Sequence, residues 1–378
     1  MKVIVLGAGL VGGPMAIDLA KDGKFEVAIA DISNKSFARL NKFGITTIMQ
    51  DLSNPQTVKK LVAGYDMVIN AVPGFMGFQT LKAIIEAKKN TVDIAFFPED
   101  PFELSELALK NNVIAIMDCG VAPGMMHILT GYVAHLLDET ETSLTYVGGL
   151  PEIREYPYEY KAGFSPIDVV EEYTRPARYI ENFKEITREA LSDTELLNFP
   201  GIGTLESFNS DGIRSLGKTI KAANIKEKTL RYPGHVALVK VLRETGFFSQ
   251  NEIDVNGVKV KPMDITAKLL FPLWELKPGE RDLTIMKVIV EGTKNNKKLR
   301  YTYDLLDRYD EETHTHSMAR TTGYTATCAL RMIANGLYTK KGLSVPEYIG
   351  QYPDCVEYLL IELGKRNVNY IEIIEELS

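Results

Sequence analysis

Residues 2–31 read KVIVLGAGLVGGPMAIDLAKDGKFEVAIAD. The run from Lys2 to Leu6 is apolar-leaning and opens directly into Gly7-Ala8-Gly9-Leu10-Val11-Gly12, a G-x-G-x-x-G turn. A helical pattern follows to about Lys21, and a second apolar strand, Phe25 to Ala30, stops on Asp31. Each element is one the glycine motif needs to hold a dinucleotide. Gly7 permits the tight turn, Gly9 lets the backbone approach a pyrophosphate, and Gly12 lets helix and strand pack closely. The helix N-terminus offers free N–H groups and the positive end of a dipole to the phosphates. Asp31 lies 19 residues past Gly12, where its carboxylate can accept hydrogen bonds from both ribose hydroxyls. That carboxylate repels a 2′-phosphate, and Ile32, Ser33 and Asn34 supply no arginine to hold one. NAD is therefore the expected cofactor, although Lys35 and Arg39 lie close enough to serve NADP. The alternative is a Rossmann-like domain that binds no nucleotide.

Working outward, strand and helix patterns alternate to about residue 122, the rhythm of a doubly wound parallel sheet. Ligands of such sheets sit beyond the carboxyl ends of the strands. Those ends carry Asp51-Leu52, Ala71-Val72-Pro73, Asp93 and Asp118, which join the glycine turn, Asp31 and Ile32 as candidate site residues. From Val121 the texture changes to strands with long connections, including a hairpin-type turn at Lys294–Lys298. The chain turns helical again near Met318, with further helices expected at Pro353–Lys365 and Ile371–Leu377. The expected fold is an α/β Rossmann domain with a doubly wound parallel sheet, plus an α+β substrate domain with a mostly antiparallel sheet. Residues 1–122 and 317–378 would form the first, the C-terminal helices returning to it, and 123–316 the second.

The 378 residues suffice for two domains, and 45% hydrophobic with 25% charged residues describes an ordinary globular chain. A net charge of −7 argues against a nucleic-acid partner, and no apolar run reaches membrane-spanning length. Lys2 and the apolar stretch after it resemble a signal peptide, but the glycine motif and Asp18 argue against one. Three irregularly spaced cysteines, Cys119, Cys328 and Cys355, fit a reducing, cytoplasmic compartment. His127 and His135 are eight apart and His314 and His316 two apart, neither a zinc spacing, so no metal is expected.

Asp118 falls where the first domain meets the second, a place for a substrate-binding acid or a capping one. The second domain holds dense polar-aromatic strings. Arg175 and Arg231 could fork a substrate carboxylate. His235 and Lys161 could exchange a proton, Glu172 or Asp118 could hold amino groups, and Tyr160 and Tyr173 could shape the pocket. Each could equally be a structural ion pair or a strand-surface side chain.

Taken in order, GGLP (148–151), YK-x3-SP (160–166), EEYTRPA (171–177), GTLESFNSDG (203–212), TLRYPGH (229–235), LRETGFF (242–248) and MARTTG (318–323) resemble the saccharopine dehydrogenase family. Within it the chain is most similar to NAD-dependent lysine 6-dehydrogenases. The resemblance implies a Rossmann domain, a sheet-rich substrate domain, a homodimer, and oxidative deamination of L-lysine at the ε-carbon to 2-aminoadipate 6-semialdehyde, ammonia and NADH. Saccharopine-forming members tend to read GLDPG and CGGLP where this chain has Gly120-Val121-Ala122-Pro123-Gly124 and Val147-Gly148-Gly149. Their acid and thiol are Ala122 and Val147 here, which favours the lysine branch. The alternatives are a saccharopine- or carboxynorspermidine-type C–N dehydrogenase and, in another class, a non-catalytic NAD-binding sensor.

Overall fold

The computed structural model describes residues 1–277 and 279–377. The chain divides into two compact units, Met1–Asp138 with Met318–Tyr370, and Glu139–Ser317 with the residues from Ile371 onward.

The first unit holds a seven-stranded sheet. In chain order its strands are β1 (Lys2–Leu6), β2 (Glu26–Asp31), β3 (Thr46–Met49), β4 (Met67–Asn70), β5 (Asn90–Asp93) and β6 (Ile114–Ile116), followed by Gly342–Ser344. Every pair is parallel, and the spatial order from one edge is Gly342–Ser344, β6, β5, β4, β1, β2, β3. This is the doubly wound order, with the switch point between β1 and β4. All of β4 and all but the first residue of β1 are buried, as strands covered on both faces must be. Asn54 caps the helix Pro55–Val62 by accepting a hydrogen bond from the Gln56 N–H at 2.8 Å.

The later helices of the unit are fastened to the first one by charge. Asp18, in the helix Gly12–Lys21, accepts hydrogen bonds from Arg331 (2.7 Å), Arg366 (2.7 Å) and the Thr327 hydroxyl (2.6 Å). Arg331 also reaches Asp22 at 2.8 Å. Asp18 and Arg331 are both buried, so the network answers the desolvation of each charge with several partners.

The second unit is built on a nine-stranded sheet. Its strands are β7 (Glu139–Pro151), β8 (Ala177–Glu181), β9 (Lys184–Arg188), β10 (Glu195–Phe199), β11 (Gly203–Asn209), β12 (Ala222–Arg231), then, after a separate hairpin of β13 (Ile253–Val255) and β14 (Val258–Val260), β15 (Asp282–Lys294), β16 (Lys297–Arg308) and the final strand Tyr370–Leu377. The main path runs β10, β11, β12, β7, β15, β16 and the final strand, and β8 joins β12 to β9. The β12–β7 pair is parallel, whereas β10–β11, β11–β12, β7–β15 and β15–β16 are antiparallel. Asn295 and Asn296 turn the β15–β16 hairpin with φ of 50° and 62°, the pair of positive values that a type I′ turn needs.

Three details differ from the sequence-based expectation. The helix Met125–Leu136 packs in the first unit, past the expected boundary at residue 122. The segment Ile371–Leu377, expected to be helical, lies within the final strand of the second sheet. Its glutamates favour a helix in isolation, but here they have strand-side partners: Tyr303 bonds Glu372 and Lys297 pairs with Glu376 at 2.8 Å. Third, helices enter the strings in the region expected to be strands with long connections: Glu171–Thr174 of EEYTRPA lie in the helix Pro166–Thr174, and TLRYPGH runs from the end of β12 to His235, the first residue of the helix His235–Thr245.

Candidate active site

In the first unit the glycine turn is dictated by close approach. Gly7 has φ +103°, and a Cβ there would lie 2.5 Å from the Ala71 carbonyl oxygen, where β1 and β4 diverge. A Cβ on Gly12 would lie 2.0 Å from the Gly7 oxygen. Gly9 is different: a Cβ would meet no atom within 4 Å. The backbone there borders open space that a side chain would occupy. The helix that follows has no side-chain cap at Val11, so no side chain of its own competes with an anion at its first turn. These features fit the pyrophosphate of a dinucleotide.

Asp31 ends β2. Its Oδ2 accepts the Ala8 N–H at 2.6 Å and its Oδ1 the Ser33 N–H at 2.7 Å, so the carboxylate is locked against the glycine turn with lone pairs left over for hydroxyl donors. Leu10 and Ile32 are exposed beside the turn in sequence. Asp51 is exposed, and the Ser53 backbone N–H at 2.8 Å, followed by the Ser53 hydroxyl, holds its carboxyl below the usual range. Leu52 and Val72 are buried, Ala71 is half-buried and Pro73 exposed. Asp93 is fully buried, and its carboxylate accepts from the Asn70 side chain and the Ala95 N–H. That geometry ties the ends of β4 and β5 together. Asp118 is buried with φ +51°, and its neighbour Cys119 is a thiol that burial pushes far up, with Cys328, Asp118 and Asp93 adding to the effect. Farther on, Gly124 (φ +137°) presses so closely on Gly120 that a Cβ would lie 1.8 Å from its oxygen. The buried His127 accepts the Gly124 N–H through Nδ1 at 3.3 Å, a capping role.

The second unit gathers five of the candidates into one buried group. Helix Pro166–Thr174 supplies Glu172 and Tyr173, the end of β12 supplies Arg231, and His235 opens the helix after Gly234, whose φ of +100° makes the turn between them. Arg231 is 3% exposed. Its Nε donates to the Tyr173 hydroxyl (3.2 Å), Nη1 to the Leu230 carbonyl (2.9 Å) and Nη2 to Glu172 (2.8 Å), while the guanidinium lies 4.4 Å from the Tyr160 ring centre. Tyr173 Oη is 3.0 Å from His235 Nε2, and His235 Nδ1 is 2.8 Å from the Tyr158 carbonyl. A carbonyl only accepts, so Nδ1 carries the proton and Nε2 accepts the tyrosine O–H. The result is a directed chain from Arg231 through Tyr173 and His235 to Tyr158. Burial, and then the Arg231 charge, drive His235 down to about 3, so the ring is neutral throughout the physiological range. Burial raises Tyr173 to about 12 against the opposing pull of Arg231. Burial likewise raises the Glu172 carboxyl, with Arg231 resisting.

Arg175 and Lys161 engage other carboxylates. Arg175 donates to Glu171 at 3.1 Å, one helical turn back. Lys161, largely buried, pairs with Glu155 (3.3 Å) and Glu280 (3.5 Å). The sequence reading missed Trp274, which packs edge-on to Tyr160 at 5.4 Å and Tyr158 at 5.9 Å, and whose Nε1 is buried without a partner. It also missed Glu227, on the same face of β12 as Arg231. Glu227 is 3% exposed and accepts the Ser210 hydroxyl at 2.7 Å. Burial first, then Glu172 and Asp211, raise its carboxyl to about 8. No spacing rule marks either residue, because each matters through neighbours distant in sequence.

Residues 3–116 match the family model described as the saccharopine dehydrogenase NADP binding domain, and residues 120–368 the saccharopine dehydrogenase C-terminal domain. The chain is similar to the mitochondrial alpha-aminoadipic semialdehyde synthase of Mus musculus, 28% identical over 62% of this chain but only 27% of that protein, so it spans about a quarter of this longer relative. Saccharopine dehydrogenase [NADP(+), L-glutamate-forming] of Schizosaccharomyces pombe is 25% identical over 91% of this chain and 93% of its own length. Among solved structures, apo saccharopine dehydrogenase (L-Glu forming) from Saccharomyces cerevisiae superposes with a TM-score of 0.80 at 20% identity, covering 100% of both chains.

Proposed function

Because the chain belongs to the saccharopine dehydrogenase family, we propose that it is an NAD-dependent dehydrogenase that oxidatively deaminates L-lysine at the ε-carbon. The observation that carries the cofactor half is Asp31. A carboxylate fixed against the glycine turn by two backbone N–H groups cannot move aside for a 2′-phosphate, and this favours NAD even though the matching domain family is described as NADP binding. The substrate half rests on Ala122 and Val147, which stand in place of the acid and thiol of the saccharopine-forming pattern. A substrate with an additional glutamate arm would lose two polar contacts there.

NAD, when bound, accepts the hydride. The chain's own residues orient the amino acid and manage its proton. The ε-amine must be neutral to release hydride, and a free lysine amine titrates near pH ~10.4. Tyr173 and His235 form an orienting pair, the neutral His235 Nε2 accepting the tyrosine O–H, and the proton falls to the Glu172 carboxylate, whose hold on it burial strengthens. Glu172 faces the amino groups while neutralising Arg231. The α-carboxylate falls to Arg175, since three nitrogens of Arg231 are already committed. The rival reading, a saccharopine-type reaction, is favoured by the near full-length match to the fungal enzyme. A panel of lysine, saccharopine and polyamines with NAD and NADP, read at 340 nm with ammonia release, separates them. Turnover of saccharopine but not lysine would reject the proposal, and tight NAD binding with no turnover would identify a sensor.

A further inference from the structure

The carboxyl ends of β1 to β4 each carry, at the strand end or just past it, an exposed apolar side chain: Leu10 (45% exposed), Ile32 (68%), Met49 (70%) and Phe75 (78%). Single exposed apolar residues are ordinary on a protein surface, but a row of them along the ligand-bearing rim of a doubly wound sheet marks a binding surface. The spatial order β4, β1, β2, β3 sets Phe75 on one side of the glycine turn and Ile32 and Met49 on the other. A dinucleotide has the same layout, two flat bases on either side of a pyrophosphate.

Phe75 is held in place by its neighbours although it touches little itself. It is the second residue of the helix Gly74–Glu86. Phe78, one turn on, is buried edge-on to Phe97 at 5.7 Å, and Gly77 sits so close to the chain leaving β5 that a Cβ on it would lie 2.6 Å from the Ala95 Cβ. These contacts fix the first turn of the helix. Phe75 shares a stripe with Phe78 but lies one turn nearer the rim, beyond the cover that Phe97 gives. Four residues upstream, the Ala71 carbonyl abuts Gly7 of the glycine turn.

Resting on the dinucleotide reading above, we propose that the ring of Phe75 packs on the nicotinamide of the bound cofactor and helps to position it for hydride transfer. The choice of base follows from Asp31. Its carboxylate ends β2 and is locked against the glycine turn, where it serves the adenosine ribose, so the adenine lies toward β2 and β3. The pyrophosphate sits at the start of the helix Gly12–Lys21. The other half of the molecule then extends across the switch point over the end of β4, toward Phe75. A flat apolar ring on that side gives the nicotinamide a surface to stack on, and ligand binding covers an aromatic side chain that the free protein leaves in water.

Isothermal titration calorimetry of the full chain with NAD and with ADP-ribose, which lacks only the nicotinamide, tests this. NADP and its ADP-ribose 2′-phosphate counterpart are titrated in parallel. Phe75→Ala is expected to raise the Kd for the dinucleotide roughly tenfold, the scale of one base stacked on an aromatic ring, and to leave the Kd for the ADP-ribose unchanged. Phe75→Trp is expected to restore dinucleotide affinity. Its added tryptophan emission, read against the chain's one native tryptophan, Trp274, should be quenched by NADH and not by ADP-ribose. Equal losses for both ligands in Phe75→Ala would put the ring on the adenosine half and overturn the proposal. Unchanged dinucleotide affinity would overturn it too, while leaving the cofactor reading intact. A wild type that binds neither ligand would overturn both.

Discussion

Raising the pH through the range in which Glu227 ionises should weaken the second unit, and the size of the effect follows from where this side chain sits. Glu227 points from β12 into a buried region where its donors are the Ser210 hydroxyl and the Gly212 backbone, and where the charges that raise its pKa, Glu172 and Asp211, are negative. Gly212 packs so closely that a Cβ on it would lie 2.4 Å from the carboxyl, which covers that side of the group. The folded-state pKa rises from 4.5 to about 8. A raised carboxyl pKa means that the native state holds the proton more tightly than the unfolded chain. Its stabilising contribution is therefore complete below about pH 4.5 and is lost as pH rises through about 8. At ~1.36 kcal/mol per pKa unit the full loss is about 5 kcal/mol, an upper figure because some of it relaxes by small movements. Urea unfolding of the full chain between pH 5 and 9, followed by far-UV circular dichroism, should show this decline. Glu227→Gln, a neutral isostere of the protonated acid, should unfold at nearly the wild-type urea concentration at pH 5 and at a distinctly higher one at pH 9. Parallel wild-type and variant curves across the whole range would refute the reasoning, since the slope would then belong to other groups.

Tyr173→Phe should lower kcat by roughly 10²-fold with KM for lysine changed little, in steady-state assays at 340 nm, because it cuts the link between Arg231 and His235. Gly12→Ala drives a Cβ into the Gly7 carbonyl and should weaken NAD binding at least ~10-fold by fluorescence titration while leaving the second unit's near-UV signal intact. Asp18→Ala strands the buried Arg331 and the partly buried Arg366 without their shared carboxylate and should cost roughly 3–5 kcal/mol in chemical denaturation.

The first 122 residues were legible because local pattern and tertiary role coincide there: Gly7 and Gly12 are demanded by close backbone approaches, and the central apolar runs, β1 and β4, are strands buried on both faces. The second unit was legible as a class and less so in detail. Its parallel β7–β12 pair joins strands some 80 residues apart, and nothing local announces such a partner. The final strand illustrates the same limit. Residues 371–377, IEIIEEL, carry isoleucines that suit a strand and glutamates that suit a helix, and side chains on β16 decide between them. The site followed this rule too. Tyr173, Arg231 and His235 could be listed as reactive residue types, but Arg231 proved to be enclosed by its own neighbours, and a backbone carbonyl of Tyr158 sets the histidine tautomer.

The clasp around Asp18 also orders events during synthesis. The carboxylate emerges well before Arg331 and Arg366, which follow 313 and 348 residues later, after the Glu139–Ser317 part of the second unit. The seventh strand of the nucleotide-binding sheet, Gly342–Ser344, arrives with them. Until then the nascent sheet has an open edge beside β6, and Asp18 must remain hydrated. The inserted unit can complete most of its hydrogen-bonded network while the unit that begins the chain still waits for the end of it. A chain interrupted after residue 317 would carry the glycine turn but lack Arg331, Arg366 and the seventh strand of its sheet.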